Sequence, residues 1–177
     1  MNKDQTLTLP GGAEIPFRVV RPEDAPALQR LHARCGERTI YLRFFGSLEN
    51  LSDEKAQYFA STDSVDHFGL VALDPEDPNE IIAVARYART SGDERAEYAA
   101  LVEDRWQGEA VGASLTHRLI EEARGNGVSS LYALVKGENK RMLNVFRHLD
   151  LPEQERQEDG EKLVEIGLSS EETKRRG

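Results

Sequence analysis

The chain has 177 residues, of which 31% are charged, and its formal net charge is −9 at pH 7. This length suits one domain with a hydrophobic core and leaves little room for two. The acidic balance argues against nucleic acid and anionic membrane as partners and is compatible with a cationic acceptor, such as a lysine-bearing protein or an amine, although ordinary solubility charge explains it equally well.

The cysteine content and the start of the chain favour a cytoplasmic protein. Cys35 is the only cysteine, so it has no internal disulfide partner, and we expect it to pack as a small hydrophobic side chain in a reducing compartment. The first six residues are polar with no apolar run behind them, so we expect no signal peptide. No stretch reaches the length of a membrane span.

Spacings of apolar residues predict the elements of the first half of the chain. In order, these are a strand at 15–19, a helix that stops at Gly36, a compact aromatic segment at 41–46, a helix opened by Ser52, and strands at 68–73, 81–89 and 95–103. Asp24 is placed to cap the first helix. The turn residues at 74–79 predict that the strands on either side of them form a hairpin.

The second half predicts alternating helices and strands. In order, these are a glycine-containing turn, a helix that stops at 125–127, a strand at 128–135, a helix at 139–149, and two strands near 153–157 and 163–168. The full order is β-α-α-β-β-β-α-β-α-β-β. It predicts a mixed α/β (α+β) fold with a central sheet of six to seven strands flanked by about four helices. We expect one domain over 1–177, with its core at about 15–168.

The segment 102–115 carries the strongest functional signal. It runs from a buried strand through a glycine-containing turn into an amphipathic helix, an arrangement that aims backbone N–H groups and a helix start at an anion such as a pyrophosphate. No lysine follows Gly112, which argues against a P-loop. The turn follows three hairpin-linked strands, which argues against a dinucleotide fold.

This turn also carries a family resemblance. Gln107-Gly108-Glu109-Ala110-Val111-Gly112 resembles the Gln/Arg-x-x-Gly-x-Gly/Ala signature of the GNAT superfamily of N-acetyltransferases. The strand order and the asparagine-led helix at 139–149 are similar to the family's as well, so the resemblance covers 17–168. The segments 21–24 and 41–46 and the pair Ala96-Glu97 further resemble the catalytic domain of bacterial Pat-type protein lysine acetyltransferases.

The resemblance implies direct transfer of an acetyl group from acetyl-CoA to an amine, without a metal, by a monomer or homodimer. A protein lysine is the favoured acceptor. A polyamine, an aminoglycoside-like compound or another small amine is the alternative. The resemblance places the general base at Glu97, which could act with its pKa raised by desolvation or through a water molecule. A rim carboxylate paired with Arg95 or Arg86 is the competing interpretation of Glu97.

The resemblance also implies the residues that hold the cofactor. These are the amides of Val102, Glu103 and Asp104 along the pantetheine arm, the N–H groups of Gln107, Gly108, Glu109, Ala110, Val111, Gly112 and Ala113 at the pyrophosphate, and Asn139, Met142, Phe146 and Arg147 of the later helix. Asn139 can serve as a helix N-cap at the same time. Tyr41, Phe44 and Phe45 are the candidate acceptor-lining residues, with core packing as an equal alternative.

Three residues depart from the family pattern. Ala110 stands where the first motif glycine is expected, so its methyl group could crowd the pyrophosphate. Glu109 adds a carboxylate beside it, and we expect that side chain to point outward. Phe146 occupies the position of the tyrosine that protonates the leaving thiolate, so Tyr132, water or the amine itself would have to supply that proton. These departures keep a second hypothesis open, a catalytically weak acyl-CoA-binding regulatory module.

Other catalytic chemistries are disfavoured by spacing. The four histidines never fall at a metal-ligand spacing and no second cysteine is present, so we expect no metal site. Ser114 and His117 share a helix face without a nucleophile elbow, which argues against a hydrolase. His117 and His148 are predicted as surface residues.

Overall fold

In a computed structural model, residues 5–44, 51–63 and 65–168 are described, with the side chains at 43 and 44 left out. The described residues form eight strands: β1 Gln5–Thr8, β2 Glu14–Val19, β3 His67–Leu73, β4 Ile81–Ala88, β5 Arg95–Val102, β6 Ser130–Lys136, β7 Glu153–Glu158 and β8 Glu161–Gly167. They also form five helices: α1 Ala25–Arg34, α2 Glu37–Phe44, α3 Asp53–Ala60, α4 Val111–Gly125 and α5 Lys140–His148.

The eight strands make one mixed sheet in the order β1-β2-β3-β4-β5-β6-β8-β7. Neighbours are antiparallel, except that β5 and β6 run parallel. The predicted mixed sheet and the hairpin of β3 and β4 are confirmed. The strand count is higher than predicted because β1, a short and mostly polar segment, adds itself to β2 through backbone pairing.

Helices cover the sheet on both faces. One core lies between the sheet and helices α4 and α5, with Leu115, Leu119 and Phe146 among its buried residues. A second, smaller core lies under α1 and α3, with Leu31 and Ala56 at its centre. The sheet is therefore the middle layer of the domain, and its edge is where a site can form.

The helix α2 was not predicted as a helix. Its first turn is capped by a side chain from a distant part of the chain, because the carboxylate of Asp104 accepts hydrogen bonds from Gly36 N at 3.1 Å and Thr39 Oγ1 at 2.7 Å. A cap that comes from a residue 68 positions away leaves no local signature. The predicted caps Ser52 and Asn139 are confirmed, since each side-chain oxygen accepts from a backbone N–H in the first turn of its helix.

The predicted cap at Asp24 is wrong. Its buried carboxylate makes no capping hydrogen bond to α1 and instead accepts from both Nη atoms of Arg18, at 2.7 and 2.8 Å, and from Arg21 N at 2.8 Å. Burial by itself raises the pKa of Asp24, but these hydrogen bonds outweigh it and hold the pKa below its usual value. The carboxylate thus ties β2 to the start of α1.

Along the described residues, no helix is long and apolar enough to cross a bilayer.

Replacing Asp24 by Asn tests this tie. We expect the variant to lose about 1–3 kcal/mol of unfolding free energy at neutral pH, because it leaves the Arg18 guanidinium without its charged partner. Since the pKa of Asp24 is lowered in the folded state, the difference should be full above the unfolded value of about 4 and should shrink at lower pH. Urea unfolding at several pH values measures it. Glu23→Gln, an exposed neighbour, is the control, and an equal loss there would contradict the assignment.

Candidate functional site

The two parallel strands at the centre of the sheet separate along their length. They pair from Arg95 with Ser130 to Glu97 with Tyr132. Beyond that point β5 runs on to Val102 and β6 to Lys136, and among the described residues the two strands no longer pair with each other. Because parallel strands end at the same edge of a sheet, this separation opens a cleft there.

The backbone of β5 turns groups that have no strand partner toward this cleft. Glu103 N donates to Ile82 O at 2.9 Å, so at this end of β5 the backbone groups of the odd-numbered residues form hydrogen bonds to β4. Hydrogen-bonding direction alternates along an antiparallel strand, so the backbone N–H and C=O groups of Ala100 and Val102 point toward the separated strand β6. An extended chain that entered the cleft could form hydrogen bonds with this edge in the way that an added strand does. The N–H of Glu103 is already engaged in the sheet, whereas the roles of Val102 and Asp104 stay predictions.

The glycine turn brings the start of α4 to the same edge. As in any helix, the first N–H groups of α4, those of Val111, Gly112 and Ala113, have no acceptor within the helix. An added Cβ on Gly112 would lie 3.3 Å from Val102 Cγ2, so the glycine lets the helix start pack against the end of β5. Such a helix start stabilises an anion. Glu109 is exposed.

The turn contains a strained residue. Ala110, which stands in place of the first motif glycine, has φ 70° and ψ 14°, in the left-handed region. This conformation costs a residue with a Cβ about 1–2 kcal/mol, and glycine adopts it freely. The structure therefore explains why the signature has a glycine here, and it shows that this chain makes the turn with alanine.

Gln107 links the cleft walls through its side chain. Its Nε2 donates to Val102 O at 3.0 Å and to Thr39 Oγ1 at 3.1 Å, and its Oε1 accepts from Arg141 of α5. Its own N–H donates to Asp104 O at 3.2 Å and is engaged within the protein. One glutamine side chain thus joins β5, α2 and α5.

The helix α5 forms the second wall. Asn139 Oδ1 accepts from Met142 N at 3.2 Å, and Met142 packs against the larger core. Phe146 is 2% exposed and lies edge-on to Tyr98, with ring centres 5.5 Å apart. A buried phenyl ring has no proton to donate. The Tyr98 hydroxyl shares a 2.6 Å hydrogen bond with Thr116.

The two arginines of α5 lie in different places. Arg147 is about 12 Å along the helix from Asn139, and its guanidinium lies 4.0 Å from Glu155 of β7. Arg141 lies in the first turn, against Gln107. Of these two arginines, the sequence predicts only Arg147 as a cofactor contact. The available signal for Arg141 was its position two residues after the helix-opening asparagine.

Glu97 shares a face of β5 with Leu101 of the smaller core, but its own side chain is exposed. Strand pairing places His67, Ala88, Glu97 and Tyr132 in one row across β3, β4, β5 and β6. An exposed carboxylate is compatible with the predicted route through a water molecule. Its position at the start of the cleft puts it beside any group that enters between β5 and β6.

The competing interpretation, an ion pair of Glu97, is absent from the described residues. No basic nitrogen among them lies within 4.0 Å of its carboxylate. Arg95 pairs instead with Glu165 at 2.8 Å and lies 4.5 Å from the ring centre of Tyr132. Arg86 is buried against α3.

The helix α2 spans the mouth of the cleft. Lys136, at the end of β6, lies 5.4 Å from the ring centre of Tyr41, and Arg38 lies 3.9 Å from Glu138. On the other side, Thr39 contacts Asp104 and Gln107. Tyr41 is 37% exposed and is therefore not a core residue. The other two predicted acceptor-lining side chains, Phe44 and Phe45, fall outside the described residues.

The remaining candidates behave as ordinary structural residues. His117 and His148 are exposed, and His32 is buried, which lowers its pKa. The described residues contain no cluster of three or more potential metal ligands. Cys35 packs against the smaller core, and burial together with the charges of Asp104 and Glu103 raises its pKa to about 12.

Comparison with known proteins gives relatives along most of the chain. Residues 25–150 match the sequence model of the "Acetyltransferase (GNAT) family". An acetyltransferase of Pseudomonas aeruginosa is 25% identical over 158 residues, which cover 89% of this chain and 85% of the relative. The crystal structure of the GNAT domain of S. lividans PAT is similar with a TM-score of 0.85 and 28% identity, over 93% of this chain and 96% of that one.

A cAMP-binding acyltransferase from Mycobacterium smegmatis shares the fold. It is 23% identical with a TM-score of 0.68, and the match covers 97% of this chain but 49% of that chain. The predicted mixed fold is confirmed by these similarities.

Replacing Ala110 by Gly tests the strain in the turn. We expect the unfolding free energy to rise by about 1 kcal/mol, because the left-handed conformation no longer holds a Cβ. Thermal or urea unfolding measures the change. Ala113→Gly, inside the first turn of α4, is the matched control and should lose up to about 1 kcal/mol. If both variants lost the same unfolding free energy, the left-handed backbone conformation assigned to Ala110 would be contradicted.

Proposed function

Since the chain belongs to the GNAT family of acetyltransferases, we propose that it transfers an acetyl group from acetyl-CoA directly to the side-chain amine of a protein lysine. Acetyl transfer from acetyl-CoA to an amine is the general activity of the family. The lysine acceptor and the roles of individual residues are the proposal. The observation that carries it is the exposed carboxylate of Glu97, which lies where β5 and β6 separate and has no ion-pair partner among the described residues.

The cleft has the groups that a pantetheine pyrophosphate needs. Acetyl-CoA would supply the reactive thioester. The backbone of Ala100 and the N–H of Val102 offer a strand edge without a strand partner among the described residues, whereas Val102 O already accepts from Gln107. The first turn of α4 offers N–H groups and a positive helix end. Arg141 adds a cation beside the turn. We assign it, rather than Arg147, to the phosphate side of the site.

The chemistry follows from what faces the cleft. Glu97 accepts the proton of the acceptor ammonium through a water molecule, which makes the amine a nucleophile. An N–H of the strand edge, with Val102 as the candidate, donates to the thioester oxygen and stabilises the charge that develops on it. Tyr132 lies in the same row as Glu97 and is our candidate for protonating the leaving sulfur, because Phe146 has no proton to donate.

The acceptor is inferred from access and from similarity. A cavity on this face, next to Arg86, has a volume of about 30 Å³, enough for one or two water molecules. Glu97 itself is exposed, so an acceptor can reach it from the open surface, as a long lysine side chain on another protein does. The Pat-like segments and the net charge of −9 are compatible with this acceptor class. A polyamine or another small amine remains the alternative substrate.

Replacing Glu97 by Gln tests the enzyme. We expect kcat/KM for acetylation of lysine-bearing proteins to fall at least about 100-fold, because the variant removes the base. The affinity for CoA should not change. Acyl-CoA synthetases and polyamines are assayed side by side as acceptors, with mass spectrometry to locate the acetyl group. Transfer to polyamines alone would move the proposal to small amines, and equal turnover in Glu97→Gln would favour the regulatory module.

Calorimetric titration with acetyl-CoA and CoA tests the cofactor site. We expect micromolar affinity, which corresponds to about −8 kcal/mol. Arg141→Ala should weaken binding about tenfold, or about 1.4 kcal/mol, because it removes a cation next to the phosphate-binding turn. Arg147→Ala, on the same helix, is the matched control and should bind normally. The opposite pattern would assign the phosphate contact to Arg147.

A further inference from the structure

We propose that Arg86 is a positioning residue of the acetyl-transfer site. Its buried guanidinium supplies the positive charge that favours the uncharged form of an acceptor amine bound beside Glu97. This inference rests on the proposed function, because it requires Glu97 to be the base. It assigns a role to a side chain that touches neither the cofactor cleft nor the acceptor.

Strand pairing brings the two residues together. Arg86 of β4 lies opposite Ala99 of β5, and Ala88 lies opposite Glu97. Residues directly opposite each other share a face of the sheet, so Arg86 and Glu97 are diagonal neighbours on one face, about 7–8 Å apart. The two charges are therefore close enough to interact without forming an ion pair.

The neighbouring strand leaves room for a large side chain at this position. Arg86 is also the partner of Gly69 on β3. An added Cβ on Gly69 would lie 3.5 Å from Arg86 Cβ and 3.2 Å from Val20 Cγ1. Because Gly69 has no side chain, Arg86 has no cross-strand side-chain neighbour on β3.

The guanidinium is held by rings rather than by a carboxylate. Arg86 is 7% exposed, and its guanidinium carbon lies 4.9 Å from the ring centre of Tyr58 and 5.1 Å from that of Phe59. Its Nη1 has no hydrogen-bond partner, and no carboxylate among the described residues lies within 4.0 Å. Stacking on aromatic rings recovers only part of the hydration that a buried cation loses. The arrangement is therefore unfavourable for stability by itself.

The charge of Arg86 acts on the site. Burial lowers the pKa of the guanidinium, and its interactions with Tyr58 and Glu97 act against that change, so Arg86 and Glu97 interact electrostatically. Arginine stays protonated in proteins at physiological pH, so this charge is permanent. A nearby cation favours the neutral form of an amine. An acceptor ammonium bound beside Glu97 therefore loses its proton more readily.

Other titratable groups face the same region. They are Tyr132 on β6, Tyr58 on α3, His67 on β3 and His32 on α1. Arg95 of β5 also lies near, but its charge is paired with Glu165. His67 lies 3.8 Å from Asp63. Among the described arginines and lysines of this face, Arg86 is thus the cation that is buried without a carboxylate partner.

A purely structural role predicts a different behaviour. If Arg86 only filled space, an apolar side chain of similar length would do so without losing hydration, and stability and activity would be kept or gained together. If Arg86 serves the reaction, the same substitution keeps or raises stability, but the pH profile of the activity moves to higher pH. The two roles therefore separate in one set of variants.

The test uses two neutral variants, Arg86→Met and Arg86→Gln, and the charged variant Arg86→Lys. We expect the neutral variants to keep their melting temperature and their affinity for CoA. Their kcat/KM profiles should move to higher pH by at least about half a unit, because the acceptor amine loses a nearby cation that favours its neutral form. Arg86→Lys should keep most of the wild-type profile. Arg118→Met, on the opposite face of the sheet, is the control and should leave the profile unchanged.

The outcomes distinguish this inference from the proposed function. If Glu97→Gln loses activity but the neutral Arg86 variants keep the wild-type profile, or lose rate equally at every pH, the role of Arg86 is overturned. If Glu97→Gln keeps its activity, the base assignment fails first. If the Met variant does not fold, the Gln and Lys variants decide the question.

Discussion

The separation of β5 from β6 is the constraint on which the site depends. Two parallel strands that start paired and then diverge leave peptide groups on their facing edges without a strand partner. Unpaired backbone groups are costly when they are buried dry, so such an edge favours either water or a ligand with its own donors and acceptors. The start of α4 and the glycine turn lie at the open end of this gap. One local departure from regular pairing thus creates both the strand edge and the place for an anion.

Polar side chains keep the gap open at a defined width. Gln107 reaches from the turn to β5, α2 and α5, and Asp104 caps the helix that spans the mouth. Asp104 is exposed and Gln107 is half-buried, so they contact few apolar side chains. Directed hydrogen bonds therefore fix the positions of the elements here, as hydrophobic contacts do in the two cores. The acceptor side and the cofactor side of the site are therefore connected through a few specific bonds.

Two features reduce stability close to the site. Ala110 is held in a backbone conformation that suits glycine, and Arg86 is a buried cation without a carboxylate among the described residues. Neither is explained by packing. Strain and unmatched charge persist where the surrounding structure over-determines them, and here both lie next to the predicted chemistry. The two large cores supply the stability that such positions require.

Periodicity was sufficient for most of the fold. The helices α1, α3, α4 and α5 and most strands from β2 onward follow from apolar spacing. The polar and mostly exposed strand β7 follows instead from the turn at 158–160. The motif at 107–112 and the asparagine at 139 placed the turn and the later helix correctly, and the fold is confirmed. The assignment of individual site residues stays a prediction, since no bound ligand tests it.

Tertiary structure alone decided the rest, because the deciding partners are distant in sequence. Asp24 has a capping position in the sequence, but the carboxylate is taken by Arg18 of the preceding strand. The helix α2 depends on Asp104, and β1 depends on pairing with β2. The structure also shows that Arg95 pairs with Glu165, so Glu97 has no ion-pair partner among the described residues. Local sequence determines which conformations and faces are favourable, and only packing determines which of several possible partners each charged group meets.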